Sequence, residues 1–156
     1  MENSRHHCSS LIIHCIDFRF INAINEFLKQ EKLIGDCDVV ALAGSVKELS
    51  NKKNHNNANH VCVCKNILIE QIEKSKALHG ISRIIIISHE DCGAYGGKIN
   101  FAGDEEEFAK HKEDFLKAKS TINSFFPELK IEFIFARLKE ETNGDRKIWF
   151  EKPKMS

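Results

Sequence analysis

The chain has 156 residues, of which 42% are hydrophobic and 29% are charged, a composition typical of one folded domain rather than a disordered segment. Its 23 basic side chains equal its 23 acidic ones, so the net charge indicates neither a nucleic-acid-binding protein nor a protein attached to anionic membranes. No apolar run reaches the ~20 residues of a membrane-spanning helix, and the start, MENSRHHCSS, has no apolar export signal. We therefore expect a cytoplasmic protein whose six cysteines are thiols or metal ligands rather than disulfides.

The first half of the chain alternates between strand-like and helix-like patterns. An apolar run over residues 11–15 predicts a buried strand, and from Phe20 onward apolar residues recur at helical spacing. The next apolar run, over 38–43, predicts a second strand that ends at Gly44. A segment rich in lysine and asparagine, over 51–59, predicts a loop that leads into the next helix.

The second half continues this alternation and closes with a hairpin. Apolar residues at helical spacing predict a long helix over 61–78, and the run after it predicts a third strand over 84–88. A helix over 105–125 begins next to several acidic residues, which the positive end of its dipole favours. Alternating residues over 130–138 predict a fourth strand, and an Asn-Gly turn signal then predicts a return strand over 147–151.

This order of elements predicts a single α/β domain over residues 1–156. Strands that alternate with helices form a mostly parallel sheet flanked by helices, and the final hairpin adds an antiparallel C-terminal edge strand. Functional sites in such sheets form beyond the carboxyl ends of the strands. The residues that follow the predicted strands are therefore the first candidates for a site.

Side chains with metal-binding chemistry follow the first and third predicted strands. The segment CIDFR places Cys15, Asp17 and Arg19 on one face if the chain stays extended, because side chains alternate along a strand. The segment HEDCG places His89 and Cys92 directly after the third strand. If these strands are neighbours, the thiolates, imidazole and carboxylate converge, and they are ligand types of zinc, whereas magnesium and calcium prefer oxygen. The glycines of SHEDCGAYGG predict a tight turn whose amide N–H groups face the site.

The segments HCIDFRF and SHEDCGAYGG resemble the two metal-binding motifs of the β-class carbonic anhydrases. The predicted order of elements is also similar to that family from about residue 11 to about residue 151, and the chain resembles a short, divergent member. The resemblance implies Zn²⁺ held by Cys15, His89 and Cys92. It further implies that Asp17 acts as a gate, which either takes the fourth ligand position or pairs with Arg19 and leaves that position to water.

The activity implied by the resemblance is the reversible hydration of carbon dioxide to bicarbonate through zinc-bound hydroxide, with Asp17 and Arg19 as the catalytic pair. At the end of the second strand the sequence departs from the family pattern, because Ala41 and Leu42 stand where arginine and asparagine are usual. We expect Ser45 to supply the missing polar contact to substrate, and Gly44 and Gly93 to contribute their backbone. The predicted substrate-binding residues are thus Gly44, Ser45 and Gly93.

The resemblance also implies a homodimer or higher homo-oligomer, since the active sites of the family lie at a dimer interface. Many members carry an N-terminal helical arm that wraps the partner subunit, and the ten residues before the first predicted strand are too few for such an arm.

Two alternative functions remain open from the sequence. The same metal site would serve a hydrolase of a related small substrate, such as carbon disulfide or carbonyl sulfide. The zinc would instead be structural, in a protein without this activity, if Asp17 completed a permanent tetrahedron of four protein ligands. Glu90 and Asp91, which lie between the predicted ligands, are expected to be solvated or capping residues.

Overall fold

Five strands form one sheet in the computed structural model, which describes residues 6–50 and 61–155, with the backbone alone for 61–63. The predicted loop over 51–59 lies outside these residues. The strands are β1 (Ser10–His14), β2 (Cys37–Ala41), β3 (Arg83–His89), β4 (Lys130–Glu140) and β5 (Arg146–Glu151). Their order is β2-β1-β3-β4-β5, with every pair parallel except the antiparallel pair β4 and β5. The predicted α/β fold, including its antiparallel edge strand, is confirmed.

The helices agree with the predicted ones to within a few residues, with one addition. They are α1 (Ile21–Gln30), α2 (Lys47–Ser50), α3 (Val61–His79) and α4 (Asp104–Phe125). The sequence did not predict α2, because a helix of four residues is too short to show a repeating apolar pattern. Within the described ranges, none of the helices combines the length and the apolar character needed to span a bilayer.

Two apolar layers cover the two faces of the sheet. Alternate side chains of β1 and β3 point to opposite faces, so Ile13 and Ile86 pack on one side and Ile12 and Ile85 on the other. The first layer joins the sheet to α3 and α4, and the second joins it to α1. Burying each isoleucine contributes roughly 1.5–3 kcal/mol of transfer free energy, so the central strands are held firmly.

The carboxyl ends of β1 and β3 lie side by side at one edge of the sheet. The two strands pair in register up to His14 and Ile87, so Cys15 leaves β1 beside the end of β3. The chain then turns sharply after β3, with Asp91 at a φ of 55° and Gly96 at a φ of 90°. This left-handed backbone folds the segment back over the strand ends, and it places the predicted ligands in one small region.

Candidate metal centre

Cys15, His89 and Cys92 meet at this edge of the sheet, as the sequence predicted. The Sγ atoms of the two cysteines are 3.9 Å apart, and the candidate ligand atoms of all three residues lie within 4.8 Å of one another. All three side chains are buried. A disulfide would need sulfur atoms about 2.05 Å apart, so both cysteines are free thiols.

The geometry of this cluster fits a tetrahedral zinc ion. Two sulfur ligands at the usual Zn–S length of about 2.3 Å are about 3.8 Å apart in a tetrahedron, close to the 3.9 Å between Cys15 and Cys92. The Nδ1–H of His89 donates to the Glu90 carbonyl at 2.7 Å, which leaves the lone pair on Nε2 free. Histidine ligands commonly make such a backbone hydrogen bond with the nitrogen that does not bind metal. Nε2 itself is buried and accepts no hydrogen bond in the described part of the chain.

The surroundings of the two thiols favour negative charge on Cys15. A hydrogen bond from Cys92, together with the nearby His89, lowers the pKa of the Cys15 thiol, and the Gly44 N–H also donates to its Sγ at 3.4 Å. The hydrogen bond to Cys15 and burial raise the pKa of Cys92, because a second thiolate beside the first would be repelled. The site therefore favours a thiolate at Cys15, and a cation between the two sulfur atoms would favour ionisation of both.

Arg19 holds the Asp17 carboxylate beside the cluster. Its Nε donates to both carboxylate oxygens at 3.0 and 3.1 Å, and its Nη2 donates to Oδ2 at 2.7 Å. These bonds lower the pKa of Asp17, so its carboxylate is ionised. Asp17 Oδ2 is 4.0 Å from Nε2 of His89. The predicted pair is therefore formed, and its carboxylate lies next to the candidate ligands.

Asp91 is a second partner of Arg19, which the sequence interpretation missed. Arg19 Nη1 donates to Asp91 Oδ2 at 2.6 Å, and its Nη2 donates to the Asp91 carbonyl at 2.8 Å. The other carboxylate oxygen accepts from the Lys98 N–H at 2.9 Å, which is the capping role that the sequence suggested. The capping role expected of Asp91 is thus confirmed, and the sequence missed only its contact with Arg19, whose guanidinium joins two carboxylates.

Glu90 is a buried structural anchor, and the expectation of a solvated side chain is wrong for it. Its Oε1 accepts from Arg137 at 2.9 Å, and its Oε2 accepts from the Leu138 N–H at 2.8 Å. These bonds fix the turn after β3 to β4. A buried carboxylate without such partners would be strongly destabilising.

Two further polar residues lie behind the cluster, on the first turns of α4. Glu107 is fully buried, and its Oε1 accepts from the Asp91 N–H at 2.7 Å, so it supports the left-handed turn. Burial raises its pKa. His111 packs its ring 4.0 Å from the ring of Tyr95, which in turn contacts Cys15 and Cys92. The α4 helix therefore carries polar groups directly behind the candidate metal centre.

A cleft of about 660 Å³ opens onto the cluster. Its wall combines the charged Asp17 and Arg19 with apolar side chains, among them Ile16, Phe18 and Ala43. Of the three predicted substrate-binding residues, Gly93 lines this cleft.

The other two predicted substrate-binding residues lie deeper in the protein. The Gly44 N–H is directed at the Cys15 sulfur, and Ser45 is buried with a hydroxyl that has no partner among the described residues. Their contact with substrate stays a prediction.

Sequence comparison gives a family match over most of the chain. Residues 5–143 match the model of a family described as putative carbonic anhydrase. An uncharacterised protein of Rickettsia bellii is 34% identical over 126 residues, which cover 79% of this chain and 73% of that protein. An uncharacterised protein of Rickettsia conorii is 32% identical over 126 residues, and the match spans 79% of this chain but only 64% of that protein, less than two thirds of its length.

Structure comparison supports the same architecture at much lower identity. The structure of the β-carbonic anhydrase CcaA superimposes with a TM-score of 0.53 and 16% identity, covering 95% of this chain and 85% of that one. At this identity the similarity is one of fold.

Proposed function

The chain belongs to the carbonic anhydrase family whose model it matches, and we propose that it hydrates carbon dioxide reversibly to bicarbonate at a zinc ion held by Cys15, His89 and Cys92. The observation that carries this proposal is the buried, unpartnered Nε2 of His89 beside two thiols at tetrahedral spacing, in the part of the chain that the structure describes. Zinc bound there supplies a Lewis acid that lowers the pKa of water enough for hydroxide to form near neutral pH.

Arg19 acts in this proposal by keeping Asp17 from closing the site. Two thiolates and a neutral imidazole balance the charge of Zn²⁺, so a nearby carboxylate is the strongest competitor for a fourth position. The hydrogen bonds from Arg19 to Asp17 are charge-assisted and match the fork of the guanidinium, which makes them strong. Held in this way, Asp17 remains an ionised acceptor beside the cluster, able to orient a hydroxyl group.

The cleft supports a small, apolar substrate. Ile16, Phe18 and Ala43 provide apolar walls, and carbon dioxide needs no charged contact to enter such a space. Gly93 brings backbone to the cleft without a side chain, and we propose it as a substrate-binding residue together with Gly44 and Ser45. The backbone of Gly93 would receive a bicarbonate oxygen, and the Ser45 hydroxyl, which has no partner among the described residues, would supply a second polar contact.

A homo-oligomer is also part of the proposal. Ile16 and Phe18 are 64% and 77% exposed at the mouth of the cleft, and large apolar side chains grouped in this way favour contact with another subunit. Sedimentation equilibrium would test it, and a mass of a single chain at micromolar concentration would contradict it.

We propose the cytoplasm as the compartment, because the cysteines with described side chains are free thiols, which reducing conditions maintain.

Stopped-flow hydration of carbon dioxide by the zinc-loaded protein at pH 7 and pH 9 tests the activity, with Cys15→Ser as the blank. We expect turnover above the blank that rises with pH, since hydroxide becomes more available. A protein that holds zinc but shows no turnover at either pH would contradict the proposal. Assays with carbon disulfide and carbonyl sulfide would then follow.

The absorption spectrum of the cobalt-substituted protein between pH 6 and pH 9 distinguishes an openable site from a structural one. A ligand set that changes over this range supports the exchange of Asp17. A constant spectrum would contradict the gate role of Asp17.

A further inference from the structure

A second group of side chains with metal-binding chemistry lies at the other end of the strands, where β1 and β2 begin. Cys8 precedes β1, Asp38 lies near the start of β2, and His79 is the last residue of α3. Their candidate ligand atoms all lie within 4.8 Å of one another. We propose that Cys8, Asp38 and His79 form a second site for a divalent metal ion, with zinc as the preferred ion. This inference does not depend on the proposed activity.

The two sites are too far apart to share an ion. Cys8 and Cys15 lie before and after β1, and seven residues of nearly extended chain, at about 3.3 Å each, separate them by up to about 23 Å. The first cluster lies at the carboxyl ends of the strands and the second at the amino ends. Occupancy of one site is therefore measurable without the other.

Three separate segments of the chain converge on the second site, and hydrogen bonds hold them there. Nδ1 of His79 lies 2.7 Å from Asp38 Oδ2, and the Cys8 N–H donates to the His79 carbonyl at 3.1 Å. The Ser75 hydroxyl donates to the same Asp38 oxygen at 2.5 Å. Carboxylates that bind metal usually accept such a supporting hydrogen bond, which fixes their direction.

Solvent reaches this site from one side. Cys8 is buried, whereas the side chains of Asp38 and His79 are 29% and 33% exposed to solvent. A cleft of about 240 Å³, lined in part by Asp38, Ser75 and His79, lies next to them. The cleft gives an ion a path to the site and leaves space for water as a fourth ligand.

The donor set selects the kind of ion. Sulfur and imidazole ligands favour zinc and similar transition metals over magnesium and calcium, which prefer oxygen. On binding, the S–H bond of Cys8 breaks, its proton leaves to solvent and a sulfur–metal bond forms. Without metal, the Nδ1–H of His79 donates to Asp38 Oδ2. On binding, this hydrogen bond breaks, the imidazole loses its Nδ1 proton to solvent and takes one up at Nε2, and Nδ1 and the Asp38 carboxylate both turn to the metal, so the two negative ligands balance Zn²⁺. No electron transfer is involved.

Zinc content after dialysis is the direct test. We expect two zinc ions per chain in the unaltered protein and one in the Cys15→Ser/Cys92→Ser variant, which lacks the two sulfur ligands of the first site. Adding His79→Ala to that variant should remove the remaining ion. A zinc content near zero before His79 is changed, or one that His79→Ala leaves unchanged, would overturn the proposal.

A second measurement uses variants that keep the first site intact. In the cobalt-substituted protein, Cys8→Ser should remove about one third of the thiolate-to-cobalt absorption, because it removes one of three sulfur ligands. Cys37→Ser is the matched control, since Cys37 lies in the apolar layer on the other face and should leave the band unchanged. Equal bands in Cys8→Ser and the unaltered protein would exclude Cys8 as a ligand. Neither result bears on carbon dioxide turnover at the first site.

Discussion

Replacing His111 with phenylalanine should weaken the acid sensitivity of the protein. The ring of His111 lies in the interior between Tyr95 and Phe135, and neither ring nitrogen has a hydrogen-bond partner within the described residues. Burial lowers its pKa to about 3, and the nearby His89 and the positive charges of Lys110 and Lys47 act in the same direction. His111 therefore stays neutral in the folded protein at pH values where the unfolded chain is protonated.

The sign and size of the effect follow from this difference in pKa. The unfolded chain takes up a proton below its ordinary pKa of about 6.5, and the folded protein does so only near a pKa of 3. The contribution of His111 to the free energy of unfolding is therefore constant above pH 6.5. It falls by about 1.4 kcal/mol for each pH unit below that, until the folded pKa is reached. At pH 5 the loss amounts to about 2 kcal/mol.

Urea unfolding at pH 7 and pH 5 measures this effect. The unaltered protein and His111→Phe should be compared in the same zinc-free buffer, so that loss of metal at the lower pH cannot differ between them. Between the two pH values the unaltered protein should lose about 2 kcal/mol more free energy of unfolding than the variant. His111→Leu provides a second variant with different packing and the same expected change in pH dependence. Equal pH dependence in all three proteins would refute a buried, neutral His111.

Three further changes test the candidate metal centre. Cys92→Ser should lose the zinc of the first site and much of the stability coupled to it; full zinc content by elemental analysis would reject Cys92 as a ligand. Arg19→Ala should keep zinc and lose about 10–100-fold in carbon dioxide turnover, because Asp17 is then no longer held away from the fourth ligand position; unchanged turnover would reject the role of Arg19. Glu107→Ala should cost about 1–3 kcal/mol in thermal or urea unfolding, since the partly buried Asp91 N–H loses its acceptor, whereas Glu107→Gln keeps an acceptor and should cost less. Equal costs would mean that this hydrogen bond does not matter.

The fold was predictable because its strands carry strong local signals. The run of isoleucines in β3 is buried on both faces, and a continuous apolar run of this kind is typical of a central strand in a parallel sheet. The Asn-Gly pair likewise indicated the hairpin between β4 and β5. By contrast, α2 owes its stability to packing through Leu49 in the core, and four residues contain no period to detect.

The three candidate ligands were predictable, and their supporting residues were not. Cys15, His89 and Cys92 follow strands whose ends must meet in a parallel sheet, so topology alone brings them together. Glu90 and Asp91 look like ordinary turn residues in sequence, since their partners Arg137 and Arg19 are 47 and 72 positions away.

Glu107 and His111 did leave a signal in the sequence. They occupy the same stripe of α4 as the buried Phe115, Ala118 and Ile122, at the spacing of successive turns. A charged and a titratable residue on the core-facing stripe of a helix indicates a buried polar contact. Glu107 makes such a contact with the Asp91 N–H behind the candidate metal centre, whereas His111 packs its ring against Tyr95.

In the proposed gate, the hydrogen bonds around Arg19 indicate that Asp17 is the member that would move. Arg19 bonds to the Asp91 side chain and carbonyl as well as to Asp17, and Asp91 is itself fixed by its N–H bond to the buried Glu107. If Asp17 turned towards the metal, Arg19 would keep its bonds to Asp91 and stay in place. Because the guanidinium of Arg19 is shared between two carboxylates, its charge stays paired with Asp91 when Asp17 leaves. Releasing Asp17 therefore costs less free energy than breaking an isolated ion pair. A fixed arginine with one anchored and one movable carboxylate is the arrangement that a reversible gate requires.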